Sequence, residues 1–330
     1  MAAKAIDTGT EDLLASLDDG VLTLTLNRPE ARNAMSGAMT AALAAQLAAA
    51  EFNREVKCVV LTGAGKGFCA GGDVKGMAAS GDGTVGDNTI DGAIHRQRVN
   101  QRATAGKLFK MPKPTIAALP GAAAGAGLSL ALACDLRIMA SNAILTTAFA
   151  RVGFSGDYGG TYFLTQLVGS AKARELYYLS DRVSADEALR LGLANWVCEP
   201  EDLDVKTREI ALRLAHGPTV AYRYMKENLN RAMAGDVITG AEALQLGIVN
   251  KSVPAEELAA TAADYARYLV GLPTIAVGYM KRNLNAAAHA TLSEVLDMEA
   301  VHMVRTMTTD DHKAASQAFV EKRAPVFQGR

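Results

Sequence analysis

The sequence predicts an α/β fold with an enlarged helical C-terminal region, and three observations carry that prediction. From Val21 the chain reads VLTLTLNRP, apolar residues alternating with Thr at the two-residue period of a strand, closed by Pro29. Apolar strand-like runs then lead repeatedly into glycine-rich turns: 56-VKCVVLTG-63 into 64-AGKGFCAGGDVKGM-77, and 114-PTIAAL-119 into 121-GAAAGAG-127 and the helix 128-LSLALAC-134. Beyond about Leu164 the apolar spacing is nearly all helical.

The remaining elements follow in order. The stretch 36-SGAMTAALAAQLAAAEFN-53 is Ala/Leu-rich at helical spacing, with Ser36 as its N-cap. Residues 78–93 hold Gly, Asp, Thr and Ser without periodicity and read as a mobile surface loop. A helix is predicted from about His95 to Phe109, then strands at 135-DLRIMA-140 and 143-AILTTA-148. The organisation expected is a core over residues 1–200 and a helical region over 201–330.

Composition narrows the function. A chain of 330 residues, 49% hydrophobic, can bury a large core. Its net charge of −1 and 5% aromatic content offer neither the basic stripe nor the stacking rings of a nucleic-acid binder. Cys58, Cys69, Cys134 and Cys198 stand far apart with no histidines clustered near them, which predicts free, buried thiols and no metal site. The first twenty residues are acidic and lack an apolar run, so a cytoplasmic location is expected. The apolar stretch 115–134 is broken by Pro120 and by glycines, and is not expected to span a membrane.

An internal repeat marks the helical region. Residues 184–230 align without a gap to 239–285, an offset of 55, with SADEALRLGLAN matching TGAEALQLGIVN and PTVAYRYMKENLN matching PTIAVGYMKRNLN. Roughly two positions in five are identical, which points to a duplicated helical unit. One copy is expected to pack in the usual way and the other to be displaced outward or against a neighbour.

The two glycine turns admit two readings. Each lies between a strand and a helix, where unpaired N–H groups and the helix dipole favour negative charge. Brought together, they can aim two donors at one oxygen, as an oxyanion hole does. Alternatively, the glycines only permit close helix–strand packing. Neither turn fits a P-loop or a G-x-G-x-x-G dinucleotide pattern.

Three stretches together, 26-LNRPEARNAMS-36, 66-KGFCAGGDVKGM-77 and 113-KPTIAALPGAAAGAGLSLALACDLRIM-139, resemble the signature segments of the crotonase (enoyl-CoA hydratase/isomerase) superfamily. The resemblance continues through 153-GFSGDYGGTYFLTQLVG-169, 179-LSDRVSADEALRLGLAN-195 and 316-SQAFVEKRAPVFQGR-330. It implies a crotonase-like spiral of ββα units, a helical region packed between subunits, and a homotrimer or dimer of trimers. Substrates would be acyl-CoA thioesters, with coenzyme A arriving as part of the substrate and no separate cofactor. The backbone N–H groups of Gly72 and Ala126 would form the oxyanion hole. Lys66, Gly67, Phe68 and Ala70 would border CoA, and Arg28 would contact phosphate.

The departures are informative. Where the resemblance places the two glutamates of hydratases, this chain has Ser129 and Phe149. Phe149 cannot transfer a proton, and a Ser without a base is a poor acid or base. Asp157, in 148-AFARVGFSGDYGG-160, occupies the position of a carboxylate that serves double-bond and ring-opening isomerases, and a nucleophile in dehalogenases. Asp157 is therefore the expected catalytic residue. Tyr158 and Tyr162 either line the acyl pocket or belong to the core. The expected activity is double-bond or ring isomerisation of an acyl-CoA. Hydration, hydrolysis or dehalogenation, and acyl-CoA binding without chemistry, are the alternatives.

Overall fold

The computed structural model describes residues 3–73, 89–231, 250, 253 and 257–330. Its main sheet has seven strands in the order β1 (Lys4–Ile6), β2 (Leu13–Asp18), β3 (Val21–Leu26), β4 (Cys58–Gly63), β6 (Thr115–Leu119), β8 (Leu136–Ala140) and β11 (Trp196–Cys198). The first three pair antiparallel, and from β3 onward every pair is parallel. A second, small sheet runs β10 (Val183–Ser184), β9 (Ile144–Thr146), β7 (Ala122–Ala124), β5 (Gly67–Cys69).

The connectivity gives the spiral. Three successive units place their first strand in the large sheet and their second in the small one: β4 then β5, β6 then β7, β8 then β9. The central strands CVVLTG and TIAAL are buried along almost their whole length, which explains their continuous apolar runs. Helix α1 (Gly37–Phe52) starts where predicted, the Ser36 hydroxyl accepting from Met39 N–H at 3.0 Å. Of the four free cysteines, Cys58, Cys69 and Cys134 are buried and Cys198 is half-buried. Burial pushes the three buried thiols up to about 12, so they are inert at neutral pH.

Several expectations are corrected. The helix predicted over His95–Phe109 is two, α2 (Ile90–Ala103) and α3 (Ala105–Lys110). They break at Thr104, whose hydroxyl returns to the Asn100 carbonyl at 2.7 Å. Of the loop predicted over 78–93, residues 78–88 lie outside the described residues. Thr89 caps α2 by accepting from Gly92 N–H at 3.0 Å, and Ile90–Ala93 begin the helix. The strands β5 and β7 lie inside stretches read only as glycine-rich turns, and β10 and β11 lie beyond Leu164 in the stretch read as helical.

The remaining helices are α4 (Ala126–Ala133), α5 (Gly160–Leu179), α6 (Ala185–Arg190), α7 (Leu203–Ala215), α8 (Thr219–Arg231), α9 (Leu258–Val270), α10 (Thr274–Ala287), α11 (Leu292–Met307) and α12 (Asp310–Val320). None of the helices in the described residues is long and apolar enough to cross a membrane. The offset of 55 makes α9 the counterpart of α7, and α10 that of α8. Residues 239–249 of the second copy lie outside the described residues, and the two described helix pairs divide differently from the expectation of one packed and one displaced copy. Helix α7 of the first copy packs on the main sheet, and α10 of the second packs on α5 and α11. Their counterparts turn the equivalent faces outward: Leu258 and Val270 on α9, Met225 and Leu229 on α8. Within these two helix pairs, the first copy packs one member and the second copy the other; the stretch of the second copy that matches α6 lies outside the described residues.

The pair Leu284 and Leu229 tests this. Leu284 is fully buried on α10, and its repeat equivalent Leu229 on α8 is 71% exposed. Leu284→Ala is expected to cost about 2–5 kcal/mol in urea unfolding, and Leu229→Ala no more than about 0.5 kcal/mol. Equal costs would mean that the two copies share the burial.

Candidate active site

The two glycine turns meet. Cys69 in β5 pairs with Ala123 in β7, which carries both strands to their turns side by side. A Cβ added at Gly71 would lie 2.9 Å from the Ala124 carbonyl oxygen and 3.4 Å from the Ala126 nitrogen. Gly71 has φ of 95°, and its carbonyl accepts from Met35 N–H at 2.8 Å, which anchors the first turn. Ala126 is the first residue of α4, preceded by Gly125 at φ of 52°. Among the described residues neither the Gly72 nor the Ala126 N–H donates to a carbonyl, so both remain for a ligand. The packing reading also holds, at a different glycine: a Cβ at Gly127 would lie 2.5 Å from the Cys69 carbonyl oxygen.

Asp157 enters from the turn before α5. Its side chain is nearly sealed, with 5% exposure. Oδ2 receives a long contact of 3.5 Å from the Gln97 amide on α2, and Oδ1 has no partner. Burial first, and the Glu299 charge second, push this carboxyl well above the ordinary carboxylate range. The Asp157 carbonyl accepts from Gly160 N–H at 3.0 Å, and Gly160 abuts Ser129 on α4, so the Asp157 turn packs against the second glycine turn.

Of the other predicted residues, Ser129, Phe149 and Tyr158 adjoin these turns, and Tyr162 faces a separate cavity. Ser129 and Phe149 are both buried at this junction. The Ser129 hydroxyl donates to the Gly125 carbonyl at 3.3 Å, and a Cβ at Gly160 would meet its oxygen at 2.3 Å. The N-terminal turns of α4 and α5 therefore touch. The Phe149 ring stacks on Tyr177 with centroids 5.8 Å apart and would lie 3.7 Å from a Cβ at Gly125. Tyr158 is buried beside Asp157 in left-handed backbone (φ 52°), and its N–H donates to the Gln101 side-chain oxygen. Tyr162 packs edge-on against Phe109 and Phe163. It lines a cavity of about 390 Å³ with Leu132 and Lys226, which Asp157, Gly72 and Ala126 do not line.

Of the segment expected to border CoA, Lys66 and Ala70 are exposed and Gly67 is half-buried. Phe68 is fully buried. Arg28 donates to the Ala34 carbonyl at 2.8 Å and pairs with Asp73 at 3.2 Å and Asp12 at 3.8 Å. His95 is exposed. Among the described residues no histidine bonds to Ser129: His216 pairs with Asp19, His302 with Asn283, and His312 with Ser316 and the Val152 carbonyl.

Three site residues were not anticipated. Gln97 and Gln101, one helical turn apart on α2, hold the Asp157 side chain and the Tyr158 N–H. Glu299 on α11 is fully buried and holds the same turn. The glutamines sit in a polar helix and carry no sequence signal. Glu299 does carry one, being an acid on the apolar face formed by Leu292, Val295, Leu296 and Met303.

Glu299 makes stability depend on pH. Burial pushes its carboxyl up to about 7, against three hydrogen bonds that pull it down. A carboxyl that binds its proton more tightly when folded stabilises fully below its unfolded pKa, and that contribution is lost as pH rises through the folded value. The window here runs from about 4.5 to about 7. The buried histidines His302 and His312, lowered by burial, work in the opposite direction. They cancel in a comparison with Glu299→Gln. Between about pH 5 and about pH 8.5, wild type should lose on the order of 2–3 kcal/mol relative to that variant. A constant gap in urea unfolding would contradict this.

A spiral of ββα units with two converging glycine turns and a buried acid defines an acyl-CoA-processing enzyme of the crotonase class. The family model for enoyl-CoA hydratase/isomerase matches residues 16–237 and again 232–330, and the chain belongs to that family. The second match takes in the whole of the second repeat copy. The chain is similar to 1,2-epoxyphenylacetyl-CoA isomerase of Escherichia coli (strain K12), 31% identical over 97% of this chain and 99% of that one. It is also similar to short-chain-enoyl-CoA hydratase of Clostridium acetobutylicum, 37% identical over 66% of this chain and 81% of that one. Among solved structures, an enoyl-CoA hydratase from Mycobacterium avium subsp. paratuberculosis K-10 shares the fold, with a TM-score of 0.67 and 24% identity over 96% of this chain and 98% of that one.

Proposed function

We propose that the protein is an acyl-CoA isomerase that moves a double bond or opens a ring through a thioester enolate, with Asp157 as its proton carrier. The observation that carries this reading is the buried Asp157 carboxyl with one oxygen unpartnered, on a turn packed against the glycine turns that offer two free N–H groups. The thioester oxygen lies between Gly72 and Ala126, whose N–H groups stabilise the negative charge that develops on it by a few kcal/mol per donor, as oxyanion holes do (about 3 kcal/mol). That charge acidifies the proton on the adjacent carbon or its vinylogous position. Asp157 removes the proton and returns it at the other end of the allylic system.

A carboxyl raised above its usual range suits both steps, being a stronger base and a more competent acid near neutral pH. Ser129 and Phe149, at the positions where the resemblance places hydratase glutamates, offer no carboxylate to activate water, and the Glu299 carboxylate is engaged by Gly159 and Thr161. The similarity to the E. coli isomerase across nearly the whole chain supports isomerisation. Lys66, Gly67 and Ala70 border the CoA on this reading. Arg28, already engaged by two carboxylates, orders the first turn through Asp73. A homotrimer, or a dimer of trimers, in a soluble compartment completes it.

The test is mass-resolved product analysis in heavy water with trans-2-enoyl-CoA, 3-enoyl-CoA and epoxyaryl-CoA substrates. Bond movement or ring opening with deuterium uptake, absent in Asp157→Asn, is expected. Addition of water that survives the substitution would make the protein a hydratase with another base. Deuterium exchange absent from every bound thioester would make it a binder.

A further inference from the structure

We propose that Glu299 is a positioning residue of this site: its carboxylate, carried in on α11 from the C-terminal region, clamps the turn that presents Asp157. The proposal deepens the isomerase reading and rests on Asp157 being its base. Oε2 of Glu299 accepts from Gly159 N–H at 2.6 Å. Oε1 accepts from Thr161 N–H at 3.3 Å and from the Thr161 hydroxyl. These residues flank Gly160, whose N–H donates to the Asp157 carbonyl at 3.0 Å. The clamp therefore reaches Asp157 through one residue on either side of its own hydrogen-bonded partner.

The turn needs such a clamp. Gly156, Tyr158 and Gly159 all have positive φ, and Gly159, at the N-cap of α5, offers no side chain to the helix. A non-glycine residue such as Tyr158 holds left-handed backbone only where its surroundings impose it. Glu299 imposes it from one side and Gln101 from the other. A buried carboxylate is costly, and among the described residues no cation stands within ion-pair distance of Glu299. Only the N-terminus of α5 and three donors offset that cost. A neutral residue would cap the helix more cheaply, so the retained charge points to Asp157.

Among the groups around Asp157, the Glu299 charge also raises Tyr177, which stays neutral regardless. Tyr158 beside it, Tyr177 on α5 and Cys69 in β5 are all raised by burial and stay neutral around pH 7. Helix α2 contributes the uncharged Gln97 and Gln101. Glu299 is the one group in this set that changes charge in the working range, and it raises the proton affinity of Asp157.

The experiment follows the Asp157 carboxyl by infrared titration of the whole protein, its band isolated by subtracting Asp157→Asn. The pH profile of acyl-CoA deuterium exchange is measured alongside. In Glu299→Gln, the Asp157 midpoint and the acidic limb of exchange should both move down by about one pH unit, and kcat should fall roughly tenfold at unchanged KM. Movement of the band without movement of the limb would uphold the clamp and overturn Asp157 as the base. An unmoved band and unchanged kcat, with only a lower Tm, would reduce Glu299 to a helix cap and overturn the proposal. Where Glu299→Gln does not fold, Glu299→Asp serves. It keeps the charge on a shorter arm, so the midpoint should stay raised while kcat falls, and a wild-type kcat would overturn the clamp.

Discussion

Asp157→Asn is expected to remove turnover while making the protein more stable. The rate loss should be roughly 10²–10⁴-fold, the range a positioned acid–base group supplies. The stability gain comes from the other side of the same property. Asp157 is sealed from solvent, has one oxygen unpartnered and faces a second carboxyl at Glu299. Asparagine keeps the shape without the charge, so it avoids both the desolvation cost and the repulsion. Near neutral pH this is worth on the order of 1–2 kcal/mol. Single-turnover exchange and urea unfolding on one preparation read both quantities. Loss of activity accompanied by loss of stability would make Asp157 a structural residue of the turn, and the isomerase mechanism would fail.

The sequence made the centre of this site legible and left its support unseen. The strands of the large sheet announce themselves because parallel strands buried on both faces are continuous apolar runs, as in CVVLTG and TIAAL. The strands of the small sheet are two or three residues long, and its β5 lies inside a glycine-rich run. A period-two signal needs more residues than that. The strand β11 is only half-buried and precedes a helical stretch, so nothing local marks it. Asp157, Gly72 and Ala126 each lie in short motifs that survive as contiguous sequence. Glu299 reaches Gly159 from 140 positions away, and only the tertiary packing of α11, against α2 and α10 above all, brings it there. The repeat was visible as a register of identities. How its copies divide the available surface was not, because equivalent faces have equivalent sequences.

Gly71→Ala should separate the oxyanion hole from the base. At φ of 95°, a residue with a Cβ is strained, by about 1–2 kcal/mol or more. The added carbon would also stand 2.9 Å from the Ala124 oxygen and 3.4 Å from the Ala126 nitrogen, so the two turns must move apart to admit it. Both neighbours are backbone, and neither can turn aside as a side-chain tip would. Separation of the turns misaims the Gly72 and Ala126 donors together. Loss of one oxyanion donor costs roughly 10²–10³-fold in kcat, so at least that loss is expected. Asp157 stays where α2 and α11 hold it, because none of its contacts runs through Gly71. The Asp157 infrared midpoint should therefore stay within about half a pH unit of wild type while exchange collapses. A variant that keeps wild-type exchange would show that the thioester oxygen does not sit between these turns. A variant whose Asp157 midpoint moves with the loss would show that the turns and the base are one unit rather than two.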